Sequence, residues 1–165
     1  MRPLILSIWV ILGVVVQATW LAALHLPSQI IPDLILIMTI SYGLLRGPEQ
    51  GLYFGLSAGF FIDLVSGGII GVRALSKMIA GFLAGFMEKN IFKDNLLVPA
   101  IAVFVGTVVC ELFNVIMLSA FKANIDIWYT LLLTILPLAF FNALLAPLVY
   151  HFMLKLEYFL AERAK

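Results

Sequence analysis

The fold of this chain is decided by residues 96–121, LLVPAIAVFVGTVVCELFNVIMLSAF. The stretch is longer than the roughly twenty apolar residues that a helix needs to cross the hydrocarbon core of a bilayer. Glu111 is its only charged residue, and no run of turn-forming residues interrupts it. The stretch therefore predicts a transmembrane helix, and the rest of the chain has to be interpreted around it.

The composition of the whole chain resembles that of this stretch. Of the 165 residues, 64% are hydrophobic and only 12% are charged, and the mean hydropathy is +1.13. Soluble domains contain roughly 45–50% apolar and about 25% charged residues, and a chain of this size cannot bury such an apolar excess in water. We therefore predict an all-α, polytopic membrane protein that forms a single transmembrane domain over residues 1–165.

Short breaks rich in glycine, proline, asparagine or charge divide the chain into about six predicted transmembrane helices. These predicted spans are 4–24, 31–45, 51–65, 69–87, 96–121 and 127–154. The first is too long for the apolar region of a cleaved signal peptide, so we interpret it as a membrane span. The second and third are shorter than a standard crossing. Residues 155–165 are expected to continue the last helix as an interfacial tail.

The distribution of lysine and arginine predicts the orientation of these spans. Loops on the cytoplasmic side of membrane proteins carry an excess of positive residues. If both termini are cytoplasmic, seven of the ten basic residues lie on the inner side, and only Arg73, Lys77 and Lys122 lie on the outer side. We therefore predict that both termini are cytoplasmic.

Small residues recur at every fourth position in the third and fourth predicted spans. The positions in the third span are Gly51, Gly55 and Gly59, with Asp63 continuing the spacing, and those in the fourth are Gly81 and Gly85. Residues four apart lie on one face of a helix, and small faces let helices approach closely in lipid. We expect the two spans to pack tightly. The same face could also dock a helix of another protein.

Six polar residues from four predicted spans fall at a similar depth near the outer side. They are Asp33, Asp63, Arg73, Lys77, Glu111 and Asn114. Ionisable groups inside a membrane are costly, so we expect these residues to meet, with Lys77 and Glu111 paired with each other or with Asp63. Two have simpler explanations, because Asp33 suits a helix N-terminus and Arg73 can reach the lipid headgroups. The spacing leaves open whether the cluster is a structural clamp or a pocket for a ligand or partner.

No catalytic, cofactor-binding or metal-binding residues are predicted. Cys110 is the only cysteine, and the two histidines lack companions at metal-ligand spacing. The sequence GLSAG around Ser57 matches the G-x-S-x-G nucleophile elbow. That motif requires a strand, a sharp turn and a helix, whereas here it lies within a predicted transmembrane helix. We therefore interpret Ser57 as a small residue at a helix contact.

The order of these elements resembles the MreD family, the rod shape-determining membrane proteins of bacteria. The resemblance covers the whole chain in length and span count. It rests on Pro32-Asp33-Leu34, the Gly55, Gly59 and Asp63 spacing, the sequence DLVSGG at 63–68, Gly71, and Ala74-Leu75-Ser76. It implies a component of the cell-wall elongation machinery in the cytoplasmic membrane. Such proteins associate with the bitopic protein MreC and, through it, with MreB filaments and peptidoglycan synthases. The family fold is similar to the substrate-binding subunits of energy-coupling-factor transporters.

Two functional hypotheses follow. The first is a non-enzymatic scaffold for cell-wall elongation and rod shape, in which the glycine faces and the outer polar cluster dock a partner's transmembrane helix. The alternative is a small-molecule-binding subunit of a vitamin-type transporter that uses the polar cluster as its pocket. The alternative would require an ATPase partner.

Overall fold

The computed structural model describes residues 31–67, 69–87, 97–121 and 127–162, together with Gly13 and Gln17. These residues form helices joined by short turns, and no β-strand occurs among them. The helices are α1 (Leu34–Arg46), α2 (Pro48–Ser66), α3 (Val72–Phe86), α4 (Leu97–Phe121) and α5 (Ile127–Thr130), which runs through a π-helical stretch (Leu131–Ile135) into α6 (Leu136–Glu162). The all-α prediction is confirmed for this part of the chain.

The helices match the predicted spans in order but differ in length. The second to fifth predicted spans correspond to α1–α4, and the sixth corresponds to the continuous stretch from α5 to α6. The first predicted span lies outside the described residues, apart from Gly13 and Gln17. The last helix continues to Glu162, as expected for the predicted tail.

Two helices are long and apolar enough to cross a membrane. They are Leu97–Ala120 and Trp128–Phe159, with mean hydropathies of 2.3 and 2.2. At about 1.5 Å per residue, α1 and α3 extend roughly 20–22 Å, less than the ~30 Å hydrocarbon core. Helix length thus supports two spans in the described part of the chain, and the number six stays a prediction.

The short helix α1 lies at the centre of the bundle, where it packs against α2, α3, α4 and α6. All of residues 35–44 are buried. A helix that is apolar on every side is stable when other helices surround it, so α1 needs no direct contact with lipid. Its first turn is capped by Asp33, whose side chain accepts a hydrogen bond from the Leu36 backbone N–H at 3.0 Å. The predicted helix start at Asp33 is therefore confirmed.

Helices α2 and α3 pack through their glycine-spaced faces. A Cβ atom added at Gly59 would lie 2.6 Å from Ala74 Cα, and one at Gly81 would lie 2.8 Å from the Gly51 carbonyl carbon. Both neighbours are backbone atoms, so only glycine allows the helices to approach this closely. The predicted tight packing of these two helices is what the structure shows. The glycine faces are buried in this contact and form no open groove.

A second set of contacts joins the helices at the opposite end of α1. The Arg46 guanidinium forms an ion pair with Glu157 of α6. The Tyr42 ring lies 4.9 Å from the Phe54 ring between their centroids, and the Tyr42 hydroxyl donates to the Gln50 side chain at 3.3 Å. These contacts fix the C-terminal end of α1 against α2 and α6.

Candidate functional site

A polar cavity of about 310 Å³ lies at the end of the bundle where α1 and α3 begin. All six residues of the predicted polar cluster line it, and so does Gln17. The apolar part of the lining comes from Ile31, Ile62, Ile69, Val72, Leu118 and Leu138. The structure thus brings Asp33, Asp63, Arg73, Lys77, Glu111 and Asn114 together around one space.

One buried charged group of the cavity is paired across two helices. Lys77 of α3 forms an ion pair with Asp33 at the start of α1, and their side chains are only 4% and 15% exposed. Asp33 uses Oδ2 for this pair and Oδ1 to cap α1. The expectation that Lys77 would pair with Glu111 or Asp63 was therefore wrong. The helix cap occupies one carboxylate oxygen of Asp33 and leaves the other free for Lys77.

Asp63 has a different partner, the backbone at the start of α3. One carboxylate oxygen, Oδ2, accepts hydrogen bonds from Gly71 N–H at 2.8 Å and from Ala74 N–H at 3.1 Å. Gly71 occupies the N-cap position of α3 with a φ of 102°, and it has no side chain with which to cap the helix. Asp63, which is 2% exposed, supplies the missing cap and lies at the positive end of the α3 dipole.

Three polar groups of the cavity remain incompletely paired. Glu111 accepts one long hydrogen bond, 3.4 Å, from the Asn114 side-chain nitrogen. Within the described part of the chain, the Asn114 side-chain oxygen is buried and has no hydrogen-bond partner. Among the described residues, neither Glu111 nor the exposed Arg73 forms an ion pair. The cavity therefore presents one carboxylate and one guanidinium that can still bind a charged ligand, whereas the buried Asn114 oxygen is out of a ligand's reach.

The buried amide of Asn142, which the cluster prediction did not include, holds Asp33 in place at the cavity. The Asn142 side-chain oxygen accepts from the Asp33 backbone N–H at 3.0 Å, and its nitrogen donates to the Thr107 hydroxyl at 3.1 Å. Both side chains are fully buried. Their bonds join α6 to α1 and α4. An amide inside an apolar helix is the sequence signal that could have identified Asn142.

The glycines of the predicted docking face lie in the α2–α3 contact, and Gly55 and Gly59 lie in the part of it next to the cavity. A Cβ at Gly55 would lie 2.7 Å from the Lys77 carbonyl carbon, and one at Gly59 would lie 2.6 Å from the Arg73 carbonyl oxygen. Gly81 and Gly85 face the backbone of Gly51 and Pro48 in the same way. Gly55 and Gly59 therefore hold α2 against the part of α3 that carries Arg73 and Lys77.

The nucleophile-elbow interpretation of Ser57 finds no support in its surroundings. Ser57 lies inside the continuous helix α2, and its hydroxyl lies within bonding distance of the Tyr53 and Phe54 carbonyl oxygens, at 2.9 and 3.0 Å. Its side chain is exposed, so the prediction that it sits at a helix contact was wrong within the described chain. Among the residues described, no group of three or more metal-ligating side chains could hold a metal ion.

These features define a class of protein: a membrane protein that is helical throughout its described residues, apart from the turns, and in which six polar side chains meet in one cavity at the end of the bundle. More particularly, the chain belongs to the MreD family, because the family model described as rod shape-determining protein MreD matches residues 1–158. No curated protein and no solved structure gives a significant match. The predicted resemblance to MreD is confirmed, and it connects the chain to rod shape determination. The vitamin-transporter alternative gains no support, and the similarity to energy-coupling-factor subunits stays a prediction.

Proposed function

We propose that this protein is a non-enzymatic scaffold of the bacterial cell-wall elongation machinery and that it maintains rod shape by docking a partner's transmembrane helix. The MreD match over residues 1–158 is the observation that carries this proposal. The protein would cross the cytoplasmic membrane six times with both termini in the cytoplasm. Its direct partner would be an MreC-like bitopic protein, which would connect it to MreB filaments and peptidoglycan synthases.

The docking surface that we assign is the outward face of α2, opposite the glycine face. The glycines cannot receive a partner helix while they contact α3. The outward face consists of Tyr53, Ser57, Phe60 and Leu64, which are exposed and recur at helical spacing. In lipid, helices associate where side chains fit closely, and a small residue improves that fit. Ser57 leaves a gap between larger neighbours into which a partner side chain can insert.

The position of this face is fixed by the contacts already described. The glycine contacts set the distance between α2 and α3, and the Asp63 cap joins the end of α2 to the start of α3. A surface held in this way requires little reorganisation on binding, which lowers the cost of association. This rigidity supports the interpretation of the protein as a scaffold.

The test combines depletion of the protein with complementation by two variants. Ser57→Phe fills the gap on α2, whereas the control Val105→Phe adds the same ring at an exposed position on α4. Depleted cells are expected to become round. The Val105→Phe variant should restore rods and co-purify with the MreC-like partner, whereas the Ser57→Phe variant should do neither.

Two results would count against the proposal. If depleted cells stay rod-shaped, the protein is not required for cell shape. If Ser57→Phe recovers as much partner as the control does, the outward face of α2 is not the docking surface. Replacing Gly55 and Gly59 by leucine would not test the docking surface, because the new side chains would displace α3 itself.

A further inference from the structure

We propose that the polar cavity binds a zwitterionic group with a primary ammonium and a phosphate, the chemistry of a phosphatidylethanolamine headgroup. The ammonium would lie at the Glu111 carboxylate, and the phosphate would lie at the Arg73 guanidinium. This inference concerns a ligand of the cavity and does not depend on how a partner helix docks.

The argument begins with the charges that the protein itself neutralises. Lys77 is paired with Asp33, and Asp63 accepts two backbone N–H groups. Glu111 and Arg73 line the same cavity without forming an ion pair with each other. A single positive or negative ion would satisfy only one of them. A zwitterion can satisfy both, because it brings one charge of each sign and leaves the net charge of the cavity unchanged.

The Glu111 carboxylate distinguishes between kinds of zwitterion. Among the described residues it accepts only one long hydrogen bond, 3.4 Å, from the Asn114 amide nitrogen. Buried acceptors are normally hydrogen-bonded, and leaving one poorly paired is costly. A primary ammonium has three N–H donors and can donate directly to this carboxylate. A trimethylammonium has no N–H donor, so phosphatidylcholine would leave Glu111 without a further hydrogen bond.

The size and lining of the cavity favour a lipid as the source of this group. A volume of about 310 Å³ lies at the lower end of the roughly 300–1,000 Å³ range of small-molecule pockets, so it suits a headgroup better than a whole lipid. Ile31, Ile69, Leu118 and Leu138 also line the cavity. These apolar side chains provide a surface along which acyl chains can leave towards the bilayer.

The experiment measures lipid retention by the full-length protein. The purified protein is stripped of lipid, placed in nanodiscs of equal phosphatidylethanolamine and phosphatidylcholine, and re-extracted, and the bound lipid is identified by native mass spectrometry. The cavity variants are Glu111→Gln and Arg73→Gln. Their charge-matched controls are Glu49→Gln and Lys155→Gln, at exposed positions outside the cavity lining. Soluble phosphoethanolamine is added separately as a competitor.

We expect the wild type and both controls to retain phosphatidylethanolamine in preference to phosphatidylcholine. Each cavity variant should lower that preference about tenfold, the effect of losing one hydrogen bond or ion pair to a charged group. Displacement by soluble phosphoethanolamine would assign the same chemistry to a free ligand, and its failure would assign it to the lipid. Equal retention of both lipids, or unchanged selectivity in folded Arg73→Gln protein, would overturn the proposal. Loss of the partner protein from the cavity variants without any lipid selectivity would also overturn it and would assign the cavity to that partner.

Discussion

Asp63 gives the sharpest test of how this bundle is held together, because one carboxylate oxygen serves two backbone donors. Replacing Asp63 by alanine leaves Gly71 N–H and Ala74 N–H without their acceptor. Loss of a helix cap costs about 0.5–2 kcal/mol, and a buried donor left unpaired costs about 1–3 kcal/mol. Since Ala74 N–H is buried and the bond to Gly71 is partly so, we expect Asp63→Ala to destabilise the protein by about 2–4 kcal/mol.

The assay is thermal unfolding of the purified protein in detergent, monitored by circular dichroism. For a protein of this size the expected loss corresponds to a Tm lower by about 4–16 °C. Asp63→Asn keeps an oxygen acceptor and loses only the charge at the helix terminus, worth about 0.3–2 kcal/mol, so its Tm should fall less. Ser66→Ala, at an exposed position on the same helix, serves as the control and should change little. A Tm for Asp63→Ala equal to that of Ser66→Ala would refute the capping role.

Two further predictions use the same unfolding assay. Gly81→Ala should destabilise the protein by about 1–3 kcal/mol, because its Cβ would overlap the backbone of α2. Gly106→Ala should destabilise it less, because the nearest atom is the movable end of the Ile40 side chain. Equal losses of stability in the two variants would contradict this explanation. Lys77→Met should cost about 3–5 kcal/mol by leaving Asp33 without its counter-charge. The double variant Lys77→Met/Asp33→Asn should recover much of that loss, and strictly additive losses would show that the pair does not interact.

The members of the polar cluster could be predicted from the sequence, whereas their pairing could not. Charged residues inside apolar runs are rare, and depth along each predicted helix placed Asp33, Lys77 and Glu111 at one level. Depth says nothing about the rotation of one helix relative to another. The pairing depends on that rotation, and it also depends on the cap of α1, which leaves one oxygen of Asp33 free for Lys77.

The glycine spacing predicted a contact but not its consequence for function. Four-residue spacing shows that Gly51, Gly55 and Gly59 share a face, and this is enough to expect close packing. It cannot show whether the neighbour comes from the same chain or from another protein. The structure fills the face with α3 of the same chain. Any docking surface on α2 must therefore lie on its opposite side.

The hydrogen bonds of Asn142 could not be predicted for a related reason. Asn142 is separated from Asp33 by 109 residues and from Thr107 by 35 residues. Its sequence signal is a lone amide in an apolar helix, which indicates that a polar partner exists without naming it. Its partners can be named only once α1, α4 and α6 have been placed side by side.

The glycine contact and the polar cavity are two parts of one arrangement. Gly55 and Gly59 lie against the backbone of α3 at Lys77, Arg73 and Ala74, and the next residue on the same face, Asp63, reaches the N-terminus of α3. A shift of α2 along α3 would therefore break the cap of α3 and change the shape of the cavity, because Ile62 and Asp63 of α2 line it. Because packing at such close contacts is not continuously deformable, the cavity and the outward face of α2 have to keep one fixed geometry. A fixed geometry is what a scaffold requires, and this is why we assign both the docking surface and the headgroup site to this part of the molecule.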